Sequence, residues 1–385
     1  MRIAIFYSGY LPGEKYGGPV TSIYNFTELL GDDNEIFIIC TNHDLKETTP
    51  YSNINPGWNK VGKAQVVYLS DEEYGKQKFS ELLDEIKPDL IYASSIFSAN
   101  QTYPLFDLSK TKGIPLLLAP RGELNNNALS IKKAKKKAYL LMLKLQRKLS
   151  STYFQATSEE EKKNIIQNLG VDEKRVFLLP NVPALSVHKE RIEKQSGKLK
   201  MCFVGRIVEN KNLLVALKAV VAAKSDVEFD IYGPSEDKDY FEQCQQVINE
   251  APENIKITYK GALSPSKMRD TYAAYDCLIS PTKFENYGQA IVEAMLHDVP
   301  VIISKGTTPW DDVEANNASY VVEKDNVDEY THIIDDIAKF QNDEYAKVIG
   351  KLRLYTKNKF NEYKMKNQYS EVLHTIANMT DRGLW

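Results

Sequence analysis

The stretch LIYASSIFSANQTYPLFDLSKTKGIPLLLAP, Leu90–Pro120, decides how the chain folds. Two runs within it, LIYA (Leu90–Ala93) and PLLLAP (Pro115–Pro120), are apolar without alternation. A strand wet on one face alternates apolar and polar residues, whereas a strand covered on both faces of a parallel sheet does not. The two runs therefore read as neighbouring strands of a buried parallel sheet, separated by a stretch of helix length.

The same alternation extends in both directions. Strand candidates in the first half are Arg2–Ser8, Glu35–Thr41, Ala64–Leu69, Asp89–Ser94, Ile114–Ala119, Thr152–Ala156 and Val176–Leu179. Helical patterns lie between them. Pro19–Leu30 places Val20, Ile23, Tyr24, Phe26 and Leu30 at helical spacing. Ser158–Leu169 opens on a capping-box pattern, Ser158 with Glu161, and stops at Gly170. Then LPNVPALSVHKERIEKQSGKLK (Leu179–Lys200), rich in Pro, Ser and charge, reads as a linker. Beyond it the alternation restarts, with strands at Lys200–Val208, Glu228–Tyr232, Asn254–Tyr259, Cys277–Ser280 and Pro300–Ser304. Helices are expected at Asn212–Lys224, Asp237–Glu250, Pro265–Ala274 and Gln289–His297, and the tail from Val327 is mostly helical. The fold class is α/β, with two doubly wound Rossmann-like domains. Facing one another, they would leave a cleft at the C-terminal ends of their strands, where such sheets bind ligands.

Composition agrees. The 385 residues suit two domains, and 43% apolar with 26% charged residues is ordinary for a globular protein. A net charge of -3 argues against a globally basic nucleic-acid binder. The four cysteines, Cys40, Cys202, Cys244 and Cys277, lie more than ten residues apart, which leaves no metal-type pair and fits a reducing cytoplasm. MRIAIFYSGY reads as a first strand and not as a signal peptide. No apolar run reaches the length of a transmembrane helix.

Two constellations carry chemistry. In FVGRIVENKNL (Phe203–Leu213) a strand ends at Gly205, Arg206 follows, and Lys211 sits at the expected start of the next helix. Two cations at a strand end and a helix start form a cradle for an anion such as a diphosphate. In SPTKFENYGQAIVEAMLHDVPVIIS (Ser280–Ser304), Glu285 is expected in a loop and Glu293 inside the following helix, with Gly288 between them. Amides near Asn286, Tyr287 and Gly288 would be free to hold an anion or sugar hydroxyls. Each pattern also has a plain reading, as solvated loop charges and as a capping Glu with a surface helix Glu. The apolar neighbours Ile291, Val292, Ala294, Met295 and Leu296 speak against that reading for Glu293.

GRIVENKNL followed by PTKFENYGQAIVEAMLHDVPVI resembles the signature of retaining family-4 glycosyltransferases with the GT-B fold, the E-x7-E pair falling on Glu285 and Glu293. YGGPV (Tyr16–Val20), APRGEL (Ala119–Leu124) and TTPWDDVE (Thr307–Glu314) extend the resemblance over the chain. It implies an N-terminal acceptor domain over 1–183, a donor domain over 184–361, and a last helix, about 362–385, crossing back to the first. It further implies that Arg206 and Lys211 bind the diphosphate of a nucleotide sugar, with Gly205 beside them. Glu285 would contact the donor sugar near the reacting carbon, and Glu293 the ribose. Asn286, Tyr287 and Gly288 would hold sugar and phosphates. Gly17 and Gly18 would bring backbone close to the phosphates. No metal or other cofactor is implied, and the DxD text Asp237–Lys238–Asp239 reads as a solvated helix cap.

Two departures stand out. Where many relatives carry a His near the acceptor, this chain has IYASSIFSAN, with Ser94 and Ser95. Where EGFG is common it has ENYG. The chemistry expected is sugar transfer with retention by a front-face route, in which the leaving diphosphate accepts the acceptor's proton. Glu285 as a covalent nucleophile is the variant. A non-hydrolysing sugar-nucleotide epimerase and a non-catalytic nucleotide-sugar-binding protein are the alternatives.

On the acceptor side, PRGELNNNALS (Pro120–Ser130) would present Arg121 and Glu123 at a strand's C-terminal end. After it, IKKAKKKAYLLMLKLQRKLS carries eight Lys or Arg between Lys132 and Lys148 and no acidic residue. Ile131, Ala134, Ala138, Leu141, Leu145 and Leu149 fall on one helical face. This is either a core-packed helix with a solvated basic face or a contact with an anionic membrane surface through 131–149. The acceptor expected is a glycan or lipid-linked glycan of bacterial O-antigen or capsule synthesis, and the protein is expected in the cytoplasm or at the inner face of the membrane.

Overall fold

Leu90–Ser94 and Leu116–Ala119 are buried at every position and pair in parallel, Ile91 opposite Leu116 and Ser94 opposite Ala119. The computed structural model describes residues 1–13, 15–184, 193–263 and 265–379. Residues 185–192 of the expected linker and 380–385 of the expected C-terminal segment lie outside them. By internal contacts the chain divides into two units. The first holds Met1–Val182 and the described residues from Glu362 onward; the second is Pro183–Asn361.

The first unit contains β1 (Arg2–Phe6), β2 (Glu35–Thr41), β3 (Trp58–Val61), β4 (Ala64–Leu69), β5 (Leu90–Ser94), β6 (Leu116–Ala119), β7 (Thr152–Ala156) and β8 (Val176–Leu178). They form one sheet in the order β3-β4-β2-β1-β5-β6-β7-β8, parallel except for the β3–β4 pair. The order runs outward from β1 in both directions, so the switch point lies between β1 and β5. Ligands of doubly wound sheets bind beyond the strand ends at such a point.

The second unit contains β9 (Lys198–Val204), β10 (Asp226–Tyr232), β11 (Ile255–Gly261), β12 (Cys277–Ser280), β13 (Val301–Ser304) and β14 (Tyr320–Val322). Their order is β11-β10-β9-β12-β13-β14, all pairs parallel. Here the switch point lies between β9 and β12. Each sheet is covered by helices on both faces, and its apolar strand residues form the unit's core.

Several elements differ from the sequence reading. β3 and β14 were not expected. β3 is a short polar edge strand held by Trp58, whose ring meets Phe37 at 5.4 Å and whose indole N–H donates to Glu85 at 2.8 Å. Ser158 caps the helix Glu159–Leu169 by accepting from the Glu161 amide, but Glu161 does not complete the box. Its buried carboxylate accepts from the Gly122 amide at 2.5 Å and from the Thr157 amide at 2.8 Å instead. The C-terminal stretch is two helices, Asn342–Lys359 and Glu362–Met379. The second joins the first unit through Met365, Tyr369, Leu373 and Ile376, all buried.

The basic segment is the largest correction. Its helix, Lys133–Leu145, turns Leu140 and Leu143 inward. The stripe Ala134, Ala138, Leu141 and Leu145 is exposed, as is Ile131. The face that periodicity marked as apolar is therefore the one in water. Leu149 alone of that set is buried, beyond the helix end.

Candidate active site

Just past the end of β9, Gly205 lies against Gly233, the residue that follows β10. A Cβ on Gly233, at φ 141°, would lie 1.9 Å from the carbonyl oxygen of Gly205. The two strand ends are tied by Gly205 N–H to Tyr232 O at 3.0 Å and Ile207 N–H to Pro234 O at 2.9 Å. Arg206 emerges here, exposed, with its guanidinium 3.2 Å from Glu236. The chain then makes a 3-10 turn, Glu209–Lys211, and passes Asn212 at φ 57° before the helix Leu213–Val221. Lys211 thus closes a turn instead of opening the helix.

The turn is stitched to the loop after β12, its neighbour across the switch point. Asn210 donates through Nδ2 to Phe284 O at 2.9 Å. Its own carbonyl accepts from Lys283 N–H at 2.8 Å and Thr282 Oγ1 at 3.0 Å. Asn212 Nδ2 donates to Pro281 O at 3.0 Å and Asp325 Oδ1 at 2.8 Å. These bonds bring Lys211 and Glu285 into direct contact, Nζ to Oε2, each side chain about one-fifth exposed. An ammonium has three donors, so Lys211 keeps others for an anion.

The loop behind Glu285 is held from TTPWDDVE. Glu285 N–H donates to Thr307 O at 2.7 Å. The Trp310 indole N–H donates to Tyr287 O, and the two rings meet edge to face at 5.2 Å. Gly288, at φ 76°, starts the helix Gln289–Leu296 without a side-chain cap. A Cβ there would press on Ile291 at 3.0 Å and on Glu285 at 3.3 Å. Glu293 lies inside that helix, buried, and accepts from Gln289 Nε2 at 3.1 Å. Burial, with the Glu293 charge adding to it, pushes the Tyr287 and Tyr272 hydroxyls up. His297 donates Nδ1–H to Glu293 O at 2.7 Å and serves the helix end.

The structure therefore gathers Gly205, Arg206, Lys211, Glu285, Asn286, Tyr287, Gly288 and Glu293 around one switch point of the second unit. Gly17, Gly18, Ser94, Ser95, Arg121 and Glu123 belong to the first unit. Gly17, at φ 69°, precedes the helix Gly18–Leu30, and a Cβ there would meet nothing within 4 Å. Its backbone angle, not crowding, calls for glycine.

Arg121 is turned inward. It donates to Ser94 Oγ at 3.1 Å, Ser22 Oγ at 3.2 Å, Tyr92 Oη at 2.9 Å and Asn181 Oδ1. Arg121 and the buried Ser94 thus fasten strand ends instead of presenting free groups. Ser95 and Glu123 do face each other: Ser95 Oγ donates to Glu123 Oε1 at 2.7 Å, and Ile96 N–H donates to Oε2 at 2.7 Å. Burial pushes the Glu123 carboxyl up against these bonds. Tyr7, just past β1, was not singled out from sequence. Burial, opposed by Arg121 and helped by Tyr16 and Glu123, pushes its hydroxyl up to about 12. Its place directly after the first strand was the available signal.

Among the described residues no group of three or more His, Cys, Asp or Glu is arranged to hold a metal ion. Asp237 caps the helix Lys238–Asn249, accepting from Tyr240 N–H at 3.0 Å. All four cysteines are buried and none is in a disulfide, and burial raises the Cys40 and Cys202 thiols well above the ordinary value.

Two doubly wound, Rossmann-like units in this order define the GT-B fold, shared with the Anabaena protein HepE solved in complex with UDP and glucose. That likeness has a TM-score of 0.71 at 17% identity, covering 97% of this chain and 100% of HepE. Residues 186–353 match the family model of glycosyl transferases group 1, and the second unit carries a domain of that family. Along the sequence the chain is similar to an "uncharacterized 41.2 kDa protein in cps region" of Klebsiella pneumoniae, 25% identical, covering 92% of this chain and 96% of that one. It is also similar, over 37% of its length and 31% of the relative's, to a GDP-mannose-dependent alpha-mannosyltransferase of Corynebacterium glutamicum, at 30% identity.

Proposed function

We propose that the protein transfers a sugar from a nucleoside diphosphate, with retention and without a metal, to a glycan or lipid-linked glycan in bacterial surface polysaccharide synthesis. The observation that carries this reading is the Lys211–Glu285 contact at the β9–β12 switch point, with Arg206 on the same strand end. A cation beside a carboxylate suits a donor that has a diphosphate on one side of its reacting carbon and sugar hydroxyls on the other. Arg206 and Lys211 bind the diphosphate and stabilise the charge that develops as it leaves. Glu285 accepts from a sugar hydroxyl near the anomeric carbon. Glu293 accepts from the ribose, and the first amides of Gln289–Leu296 meet the phosphates.

In the transfer, the bond from the anomeric carbon to the diphosphate oxygen breaks. The acceptor oxygen bonds to the same face, and its proton passes to the departing diphosphate. This route needs no protein base beside the acceptor, in keeping with a chain that has Ser94 and Ser95, and no histidine, in the region where a histidine is common. HepE, solved with UDP and glucose, supports a nucleotide-sugar donor, and the Klebsiella relative from a cps region supports a surface polysaccharide as product.

The test is incubation with UDP-, GDP- and ADP-sugars and a panel of lipid-linked glycans, with the product's anomeric configuration read by NMR. A product that keeps the donor's configuration supports the reading. An epimer formed from a nucleotide sugar alone would make the protein an epimerase. Donor binding with no product across the panel would make it a binding protein.

A further inference from the structure

The exposed stripe of the helix Lys133–Leu145 belongs to the first unit, and the residues of the β9–β12 switch point belong to the second. At about 100° per residue, Ala134, Ala138, Leu141 and Leu145 lie within about 60° of one another. Leu140 and Leu143 lie on the opposite side and are buried in the first unit's core. Lys133, Lys137 and Lys144 flank the exposed stripe on one side and Lys135 on the other. The described residues include seven exposed large apolar side chains. Three of them are Ile131, Leu141 and Leu145, at 64%, 57% and 76% exposure, gathered in this one segment. Single exposed leucines are ordinary; a gathered set is not.

The charges around it are also unmatched. No Asp or Glu occurs between Glu123 and Glu159. Of the eight cations from Lys132 to Lys148, Lys148 alone forms an ion pair, with Asp107, among the described residues, while Lys136 acts on Glu123 only through its charge. Lys136 donates to Ala128 O at 2.6 Å and lies over the Phe97 ring.

From this geometry we infer that the helix Lys133–Leu145, with Ile131, lies on the surface of an anionic lipid bilayer. Leu141, Leu145 and Ile131 enter the acyl boundary, and the flanking lysines reach sideways to phosphate headgroups along their aliphatic stems. The pattern favours lipid over the other occupants of such a face. A second copy of this chain would bring unmatched cations against their like. A bilayer supplies anions on every side of the stripe and needs no shaped partner. No helix of the described residues is long and apolar enough to cross a membrane, so this contact lies on the surface. Apolar contact and charge act together here, and neither alone suffices for stable binding.

Flotation of the full chain with vesicles tests this without donor or acceptor, so its outcome is independent of the glycosyl-transfer reading. Vesicles of phosphatidylcholine alone are compared with vesicles holding equal parts of phosphatidylcholine and phosphatidylglycerol. The protein is expected to float with the second kind only, and less as salt is raised. Lys133→Gln/Lys135→Gln/Lys137→Gln should weaken the partition by about 100-fold, at about fivefold per cation. Leu141→Ser/Leu145→Ser should reduce it with the circular dichroism spectrum unchanged, and Leu145→Glu alone should act in the same direction if the double variant is unstable. Wild-type protein left in the bottom fraction with anionic vesicles overturns the inference, as does wild-type flotation of all three variants. A concentration-dependent dimer abolished by Leu145→Glu would assign the stripe to a second copy instead. Capture by an acidic polypeptide with no binding to anionic vesicles would likewise overturn it.

Discussion

Gly233 shows how a single residue shapes the end of β9. Its φ of 141° and the 1.9 Å clash that a Cβ would make with Gly205 O let β10 pass directly against the strand end that presents Arg206. Gly233→Ala should therefore cost about 2 kcal/mol or more in urea unfolding, and an unchanged midpoint would contradict the close approach. Lys211→Ala acts differently: the fold should stay intact by circular dichroism while turnover falls about 10²–10³-fold, the usual effect of removing one charge-stabilising donor. The positions of Arg206, Lys211 and Glu285 were legible because they lie in short, ordered motifs after strand ends, and Glu293 because its neighbours in the helix Gln289–Leu296 are apolar. The roles of Ser94 and Arg121 were not. Arg121 is held by Ser22, Tyr92 and Asn181, distant in sequence, and only the strand order decides that these side chains meet. Asn210 was invisible for the same reason, since its partners, two backbone groups and the Thr282 hydroxyl, belong to a loop more than 70 residues away.

At the scale of elements, periodicity identified strands buried on both faces and failed where an element is short or wet. β3 and β14 have few residues, and β3 lies at a sheet edge, so neither leaves a long apolar run. The helix Lys133–Leu145 misled differently, because its outward stripe is as apolar as its inward one. A pair of substitutions separates the two faces. Leu143→Ala should destabilise by about 2–5 kcal/mol and Leu145→Ala by less than about 0.5 kcal/mol; the reverse order would show that the helix is turned. The loop after β2 carries a pH dependence. The Asp44 carbonyl and then the Asp71 carboxylate hold the imidazole of His43 above its ordinary 6.5. A raised basic group stabilises the fold in its charged form, fully below the unfolded value, and that contribution is lost as pH rises through the folded value. Stability measured across that window should fall for the wild type and stay flatter for His43→Gln; parallel curves would exclude the contact.

For the whole molecule, the helix Glu362–Met379 is part of the first unit although it follows the second in sequence. Tyr369 donates to Pro180 O at 2.6 Å and accepts from Gln155 at 3.0 Å, and its ring meets Phe26 at 5.5 Å. Four buried side chains at about 1.5–3 kcal/mol each rival the whole margin of a typical domain. A chain ending at Asn361 should show the first unit's calorimetric transition lowered or lost, whereas an unchanged transition would deny the helix that role. Amphipathic spacing alone named this segment a helix; which unit it joins depends on long-range contacts. The central claim is narrower than the fold: the crevice between β9 and β12 grips a nucleoside diphosphate through Arg206 and Lys211. Titration calorimetry with UDP, GDP and ADP, on wild type and on Lys211→Ala, measures this directly. The account predicts that at least one of the three binds the wild type and binds Lys211→Ala at least about tenfold more weakly. Equal affinity for both proteins, or no binding of any of the three to the wild type, would contradict it.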